Sequence, residues 1–419
     1  MEQDFDVIVI GAGVAGLAAA AALRSKGQRV AVLEAASRVG GRAWTVDLAG
    51  YAFDTGASWL HFADDNPLTP IAEAEGVALI DSDTVRTRQL FDAGTPVSDA
   101  GFRQAAEAFS TVCEAAASRE PDISVSAAIK GLRDDPWMAT VENWEAAQIA
   151  AADPVRFSVR DWAATEMTGR NLNIPGGLGA FVTRCLGRMA GPVELETPVS
   201  AVDWSGPGVT VTTPRGTLRA HAAIVTVSTG VLYGGAIRFT PALPAATAQA
   251  IAGLPMGLLS KVALHVADPP ALGVLANTSL RRRIAAAGEP CMSFQVLPER
   301  ANIVVGFVGG PNAWALAREA PEASVDFAIA QLGLMLGAKA LRGLRPAHVT
   351  RWGNDLLHRG AYAYALTGAA GARAELAKPV GDGRLLFAGE ATATDGQAGT
   401  VGGAWSCGQA AAASLLAWL

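Results

Sequence analysis

A chain of 419 residues exceeds the length at which one hydrophobic core usually stops growing, so two domains are expected, and an apolar content of 50% is ample for their cores. A net charge of −6 with only 33 Lys plus Arg leaves no basic field for nucleic acid, and no aromatic-basic interleaving appears. Cys113, Cys185, Cys291 and Cys407 lie far apart without a CxxC pair, which argues against a zinc site and a disulfide framework and fits a reducing compartment.

Glu2, Asp4 and Asp6 come first, where a secretory signal would carry basic residues, so a cytoplasmic protein is expected. The apolar, β-branched run Phe5-Asp6-Val7-Ile8-Val9-Ile10 then predicts a buried strand of a parallel sheet, and Leu17 to Leu23 predicts an alanine-rich helix. Between them stands Gly11-Ala12-Gly13-Val14-Ala15-Gly16. In a strand–turn–helix setting the three glycines do different things. Gly11 permits the turn, Gly13 removes a Cβ from the path of a pyrophosphate, and Gly16 lets the helix lie close. The helix N-terminus offers unpaired N–H groups to phosphate. A second strand, Arg29 to Leu33, ends on Glu34, whose carboxylate can accept from both hydroxyls of an adenosine ribose and disfavours a 2′-phosphate. An adenine dinucleotide other than NADPH is the expected ligand.

Phe53-Asp54 leads into Gly56-Ala57-Ser58-Trp59-Leu60-His61, and from Ile71 to about Thr168 the pattern turns helical, as in the amphipathic stretch Phe102 to Phe109. Short strands return at Val199–Trp204, Val209–Thr212 and Ala222–Val227, punctuated by Pro207-Gly208 and Arg215-Gly216. Alternating strands follow at Ser260–Val266 and Asn302–Val308, then helices from Ala323 to Leu341. Arg384 to Glu390 predicts another buried strand ending in an acid, with a helix from about Gly399; the run Ala410–Leu419 is too short to cross a bilayer. The expected fold is α/β: a Rossmann-like nucleotide domain built from discontinuous segments (1–70, 175–260 and 375–419), and a mixed-sheet plus helical substrate domain (71–174 and 261–374). A pocket is expected between them. Arg281-Arg282-Arg283 reads as a solvated surface or a helix start, with one arginine available in principle to a substrate carboxylate. Lys261 interrupts an apolar strand, where it either snorkels to solvent or is buried for a purpose.

Eight segments in order resemble the flavin-containing amine oxidases, the family of monoamine oxidases, polyamine oxidases and the related histone demethylase. They are GAGVAGLAAA from Gly11, LEAASRVGGRAWT from Leu33, GASWLH from Gly56, NIPGGLGAF from Asn173, VSTGVLYGGAIRFTPALP from Val227, the lysine of MGLLSKVALHV, RWGNDLLHRGAYAY from Arg351, and LLFAGEATATDGQAGTVGGAWSCG from Leu385. The resemblance implies FAD, with Glu34 on the ribose, Arg42 near the pyrophosphate, Val199 near the adenine and Glu390 toward the ribityl or phosphate region. Further cofactor contacts carry over onto Gly11, Gly13, Gly16, Gly56, Ala57, Gly389, Thr400 and Val401.

The residue before Tyr362 is the flavin-attached cysteine in the monoamine oxidases; here it is Ala361, so noncovalent FAD is expected. The resemblance further implies hydride transfer from an amine α-carbon to flavin N5, with O2 reduced to peroxide. Lys261 would hold a water at N5, Tyr362 would form an aromatic wall, and Trp352 would lie beside the isoalloxazine. Thr400 stands where the monoamine oxidases carry a second tyrosine, and Gly402 where a TVHGA segment has histidine, which shifts the expectation toward polyamine oxidases and demethylases. His61 matches a channel histidine of animal polyamine oxidases and stands equally for a structural histidine. A di- or polyamine substrate is expected, with O2 as co-substrate, no nucleic acid or membrane partner, and room for a homo-oligomer. An L-amino-acid oxidase and a noncatalytic flavoprotein scaffold are the alternatives.

Overall fold

The computed structural model describes residues 4–165 and 169–417; Glu2, Thr168 and Leu419, which enter the expectations above, lie outside them. Two mixed sheets carry the molecule. The first runs in the order Arg238–Thr240, Ala201–Asp203, Val209–Thr213, Gly216–Val225, Phe5–Ile10, Val30–Leu33, with Leu385–Phe387 parallel to the far half of Gly216–Val225. Its centre is parallel, Val9 pairing with both Ile224 and Val32, and these strands are buried on both faces. That is why they read as continuous apolar runs. The hairpin at Arg215-Gly216 does not feed a separate strand: Gly216–Val225 is one ten-residue strand, antiparallel to Val209–Thr213 at its start and parallel to Phe5–Ile10 beyond.

The alanine-rich helix is longer than the sequence indicates, Val14–Ser25, and packs against the C-terminal helix Val401–Leu416 in one shared core. Small residues permit this approach: a Cβ on Gly408 would collide with the Ala15 carbonyl. Gly11 has φ +102°, a conformation reserved largely for glycine, and a Cβ on Gly16 would collide with the Gly11 carbonyl. The third motif glycine therefore seats the helix against the turn itself.

The second sheet has the order Leu344–Val349, Leu259–Val266, Ile303–Gly309, Ser293–Val296, Thr278–Arg282, Thr87–Asp92, Thr95–Val97. Its last two strands correct the expectation of an all-helical stretch between Ile71 and Thr168. They form a hairpin whose turn, Ala93-Gly94, has φ of +47° and +80°, and Thr87–Asp92 runs parallel to Thr278–Arg282. Ala-Gly is a weaker hairpin signal than Asn-Gly or Asp-Gly, which is why the sequence does not reveal the turn. The same pairing corrects the reading of Arg281–Arg283, since Arg281 and Arg282 end a strand and no helix starts there. The helices Ala100–Ala117, Met138–Glu142 and Val159–Ala164 form a separate core around Phe109, Met138 and Trp162. Met138–Glu142 continues into a π-helical turn, Asn143–Ile149.

Candidate active site

A cavity of about 430 Å3 begins at the glycine-rich turn and ends among Trp59, Gln148, Tyr362 and Thr400. The residues of the turn fit a nucleotide. A Cβ placed on Gly13 would meet nothing within 4 Å, so the space a pyrophosphate needs is open at the start of a twelve-residue helix with no acid in its first turn. Glu34 accepts from the Ala12 N–H at 2.7 Å and the Ala36 N–H at 2.8 Å. A carboxylate offers about four acceptor positions, so two remain for hydroxyls. Val199, Gly389 and Val401 also line the cavity.

Arg42 and Glu390 meet each other. The Arg42 Nη1 donates to Glu390 Oε1 at 2.8 Å and to the Ala361 carbonyl at 2.7 Å, while Glu390 also receives the Ala363 N–H. They join the first, last and substrate-side segments and leave the cavity wall with a neutralised pair. A second pair escapes sequence reasoning. Arg373 and Asp161 are bonded through two parallel contacts of 2.7 and 2.9 Å, with side chains only 6% and 2% exposed, and Asp161 accepts the Ala365 N–H as well. The residues are 212 apart in sequence. Nothing local marks them.

Lys261 is buried, at 3% exposure, so the solvent-seeking alternative is excluded. Its Nζ donates to the Asp54 carbonyl at 2.8 Å, the Gly56 carbonyl at 2.6 Å and Ser58 Oγ at 2.6 Å. The rings of Phe53, Trp59 and Phe307 surround the ammonium with centroids at 5.9, 5.7 and 5.7 Å. Burial lowers its pKa to about 8, against the opposing charge of Asp54. An ammonium has three donors, and all three are used here. The Ser58 hydroxyl, which accepts from the lysine, donates in turn to the Gly56 carbonyl at 3.3 Å. Gly56 belongs to this arrangement because a Cβ there would collide with the Arg42 carbonyl, and the Ala57 N–H donates to that carbonyl at 3.1 Å.

Trp352 is buried and fixed by an Nε1–H bond of 2.9 Å to the Thr55 carbonyl. Its ring meets Trp44 and His358 edge-on at 6.4 and 4.9 Å. Tyr362 donates its hydroxyl to the Ile149 carbonyl at 2.8 Å, in the π-helical turn, so the ring is held as a wall by a carbonyl the widened turn leaves available. Burial raises the pKa of this phenol, keeping it neutral. Tyr364 packs instead on Phe157 in the helical core at 5.7 Å.

Thr400 takes a helix-capping position. Its Oγ1 accepts from the Gly403 N–H at 3.0 Å and donates to the Gln397 carbonyl at 2.7 Å, starting Val401–Leu416. The space beside Gly402 is filled by Asn66 and Gln397, so the histidine of related segments has no room there. His61 lines the cavity with Nδ1 at 2.6 Å from Asn171 Oδ1, and burial lowers its pKa, favouring the neutral ring. Arg281, one of the three arginines considered for a substrate carboxylate, is sandwiched between Trp144 at 3.4 Å and Phe102 at 4.7 Å. Burial lowers its pKa to about 9. Its guanidinium is occupied by the two rings and does not line the cavity.

Comparison with known proteins agrees with this geometry. The family model described as flavin containing amine oxidoreductase matches residues 14–135 and 146–416. The chain is 32% identical to polyamine oxidase 2 of Arabidopsis thaliana, with 97% of this chain and 87% of that protein covered. It is 30% identical to lysine-specific histone demethylase 1 homolog 3 of Oryza sativa subsp. japonica, covering 98% of this chain and 54% of that one. Among solved structures, a putrescine oxidase bound to putrescine superposes with a TM-score of 0.82 at 23% identity, 99% of both chains being covered, and a cyclohexylamine oxidase from Brevibacterium oxydans IH-35A does so with 0.77 at 23% over the same shares.

Proposed function

Because the chain belongs to the flavin-containing amine oxidoreductase family, we propose that it holds FAD without a covalent bond and oxidises an aliphatic di- or polyamine in the cytoplasm. A bound FAD supplies the two-electron acceptor for a hydride equivalent from the carbon next to nitrogen, and returns the electrons to O2 as peroxide. The resulting imine hydrolyses to a carbonyl compound and an amine or ammonia. Glu34, the open space at Gly13 and the helix start at Val14 hold the nucleotide; Ala361 offers no sulfur for attachment. Tyr362 and Trp352, each fixed by a hydrogen bond to a carbonyl, orient the amine in an apolar wall that favours its neutral, reactive form. Lys261 and Ser58 keep a cation and a hydroxyl at the same end. Segments 1–70, 175–260 and 375–419 form the FAD-binding part of this reading, and 71–174 with 261–374 the amine-binding part.

The observation that carries the substrate class is the state of the arginines. Arg42 and Arg373, the arginines lining the cavity, are taken by Glu390 and Asp161, so neither offers a fork to an amino-acid carboxylate. A noncatalytic scaffold has no need of the buried Lys261 charge. Peroxide release with spermidine, putrescine, benzylamine and L-tryptophan tests the reading. The first two are expected to give the higher kcat/KM, and a clear preference for either of the others overturns it. Acid denaturation is expected to release all FAD from the polypeptide.

A further inference from the structure

The π-helical turn Asn143–Ile149 is held from outside by the second sheet, and what it holds in turn is the amine wall. Its backbone shows the wide register: the Ala150 N–H donates to the Glu145 carbonyl at 3.2 Å, five residues back. The side chains repeat that spacing. Gln148 Nε2 donates to Asn143 Oδ1 at 3.1 Å. Positions five apart on an α-helix point about 140° away from each other, so this bond belongs to the π-helical form.

Two residues of one extended segment complete the network. Cys291 Sγ donates to Asn143 Oδ1 at 3.1 Å, and Ser293 Oγ donates to Gln148 Oε1 at 2.5 Å. Alternate residues of an extended chain point to one side, so both reach the turn while Met292 between them packs in the core of the sheet. Burial pushes the Cys291 thiol up to about 11, so it keeps the proton it donates. The strands on either side of Ser293–Val296 add to the hold. Trp144 lies against Arg281 of Thr278–Arg282, and a Cβ on Gly309, the last residue of Ile303–Gly309, would collide with the Ala147 carbonyl. Asn143, Cys291 and Ser293 do not line the flavin cavity, whereas Gln148 and Ile149 do. The Ile149 carbonyl accepts the Tyr362 hydroxyl at 2.8 Å, with the Gln148 carbonyl 3.4 Å from it. Gln148 and Ile149 alone separate the Ser293 bond from the aromatic wall.

We propose that Cys291 and Ser293 are positioning residues for amine oxidation: through Asn143 and Gln148 they keep the turn π-helical, and its Ile149 carbonyl sets the angle of the Tyr362 ring. This rests on the reading above in which Tyr362 orients the amine. The test measures anaerobic flavin reduction by putrescine, spermidine and benzylamine, and reoxidation by O2, in the holoenzyme carrying Cys291→Ala, Cys291→Ser or Ser293→Ala, each alone and with Tyr362→Phe. Ser293→Ala and Cys291→Ala are expected to slow reduction about threefold to fivefold, the worth of one buried hydrogen bond, and to leave reoxidation unchanged. General damage to the fold would slow both. Cys291→Ser keeps a donor and is expected to stay near wild type. In the Tyr362→Phe background, where no hydroxyl reaches the Ile149 carbonyl, the same substitutions are expected to change reduction less than about 1.5-fold. Effects that persist there, or an equal loss in both half-reactions, overturn the assignment and leave the role of Tyr362 standing. So does a Tyr362→Phe enzyme that slows while Cys291→Ala and Ser293→Ala match wild type. A Tyr362→Phe enzyme that is reduced as fast as wild type, or no reduction by any of the three amines, overturns the reading of Tyr362 and this assignment with it. Should Cys291→Ala fail to fold, Ser293→Ala decides alone.

Discussion

The two ends of the flavin cavity are built on opposite electrostatic plans. At the nucleotide end the charged side chains have partners: Arg42 with Glu390, and Glu34 with two backbone N–H groups. At the amine end Lys261 is held by two carbonyls, a hydroxyl and three rings, and the nearest carboxylate, Asp54, directs its oxygens elsewhere. A cradle whose charges are already matched keeps its shape for a bound ligand. An ammonium without a matched anion presents a positive field, at the cost of a pKa that burial lowers to about 8.

The largest expected effect comes from filling the cradle. In Gly13→Val the added side chain enters open space, at a residue whose φ of −71° valine can adopt, so the fold is expected to persist while the flavin-to-protein ratio falls at least about tenfold. Absorbance of the purified variant at the flavin band, beside its circular dichroism, checks this. Undiminished flavin content would mean that the pyrophosphate lies away from the turn and would break the comparison at its nucleotide end.

Next comes Lys261→Met, which removes the unmatched charge and keeps much of the bulk. Anaerobic reduction by amine is expected to change less than reoxidation by O2, which should slow by about tenfold or more because a fixed positive field favours the charge that develops there. The sign with pH follows from the depressed pKa. The cation is present below about 8 and is lost above it, so wild-type reoxidation should fall as pH rises through about 8, and the variant should lack that step. Stability moves the other way. The folded value lies below the ordinary lysine value of 10.5, so the unfolded chain binds more protons between the two and this group's contribution to stability rises with pH across that window. Stopped-flow measurement of both half-reactions decides the first claim; an unchanged reoxidation rate removes the role given to Lys261.

The same contrast explains how far the sequence can be read. The nucleotide end is local: strand, glycine turn, helix and Glu34 occupy one stretch of about thirty residues, and each step follows from sterics or hydrogen bonding that neighbours impose. Lys261 announces itself as a charge in an apolar strand. What holds it does not, because Asp54, Gly56 and Ser58 lie more than two hundred positions away and two of them act through carbonyls, which no side chain betrays. Asp161 with Arg373 is hidden for the same reason, and Tyr362 depends on a π-helical turn that its sequence, NWEAAQI, does not distinguish from an ordinary helix. The hairpin at Ala93-Gly94 and the turn 297–300, in which Leu297, Glu299 and Arg300 have φ of +48°, +52° and +63°, are illegible because alanine, leucine, glutamate and arginine are not the residues that usually take left-handed backbone.

The smallest expected effect separates two meanings of Thr400. Sequence resemblance makes it the remnant of an aromatic wall, whereas its hydroxyl caps the C-terminal helix through Gly403 and Gln397. Thr400→Ala is expected to lower stability by about 1 kcal/mol, the usual worth of an N-cap, and Thr400→Ser to recover most of it. Urea denaturation with flavin fluorescence and circular dichroism followed together gives the number. Because the cap starts the helix that packs on Val14–Ser25, the loss should appear in flavin retention near the unfolding midpoint before it appears in amine KM. If Thr400→Ala leaves stability intact and instead changes KM for amines, the hydroxyl serves the substrate and the boundary between the matched and unmatched ends lies closer to the nucleotide than Lys261.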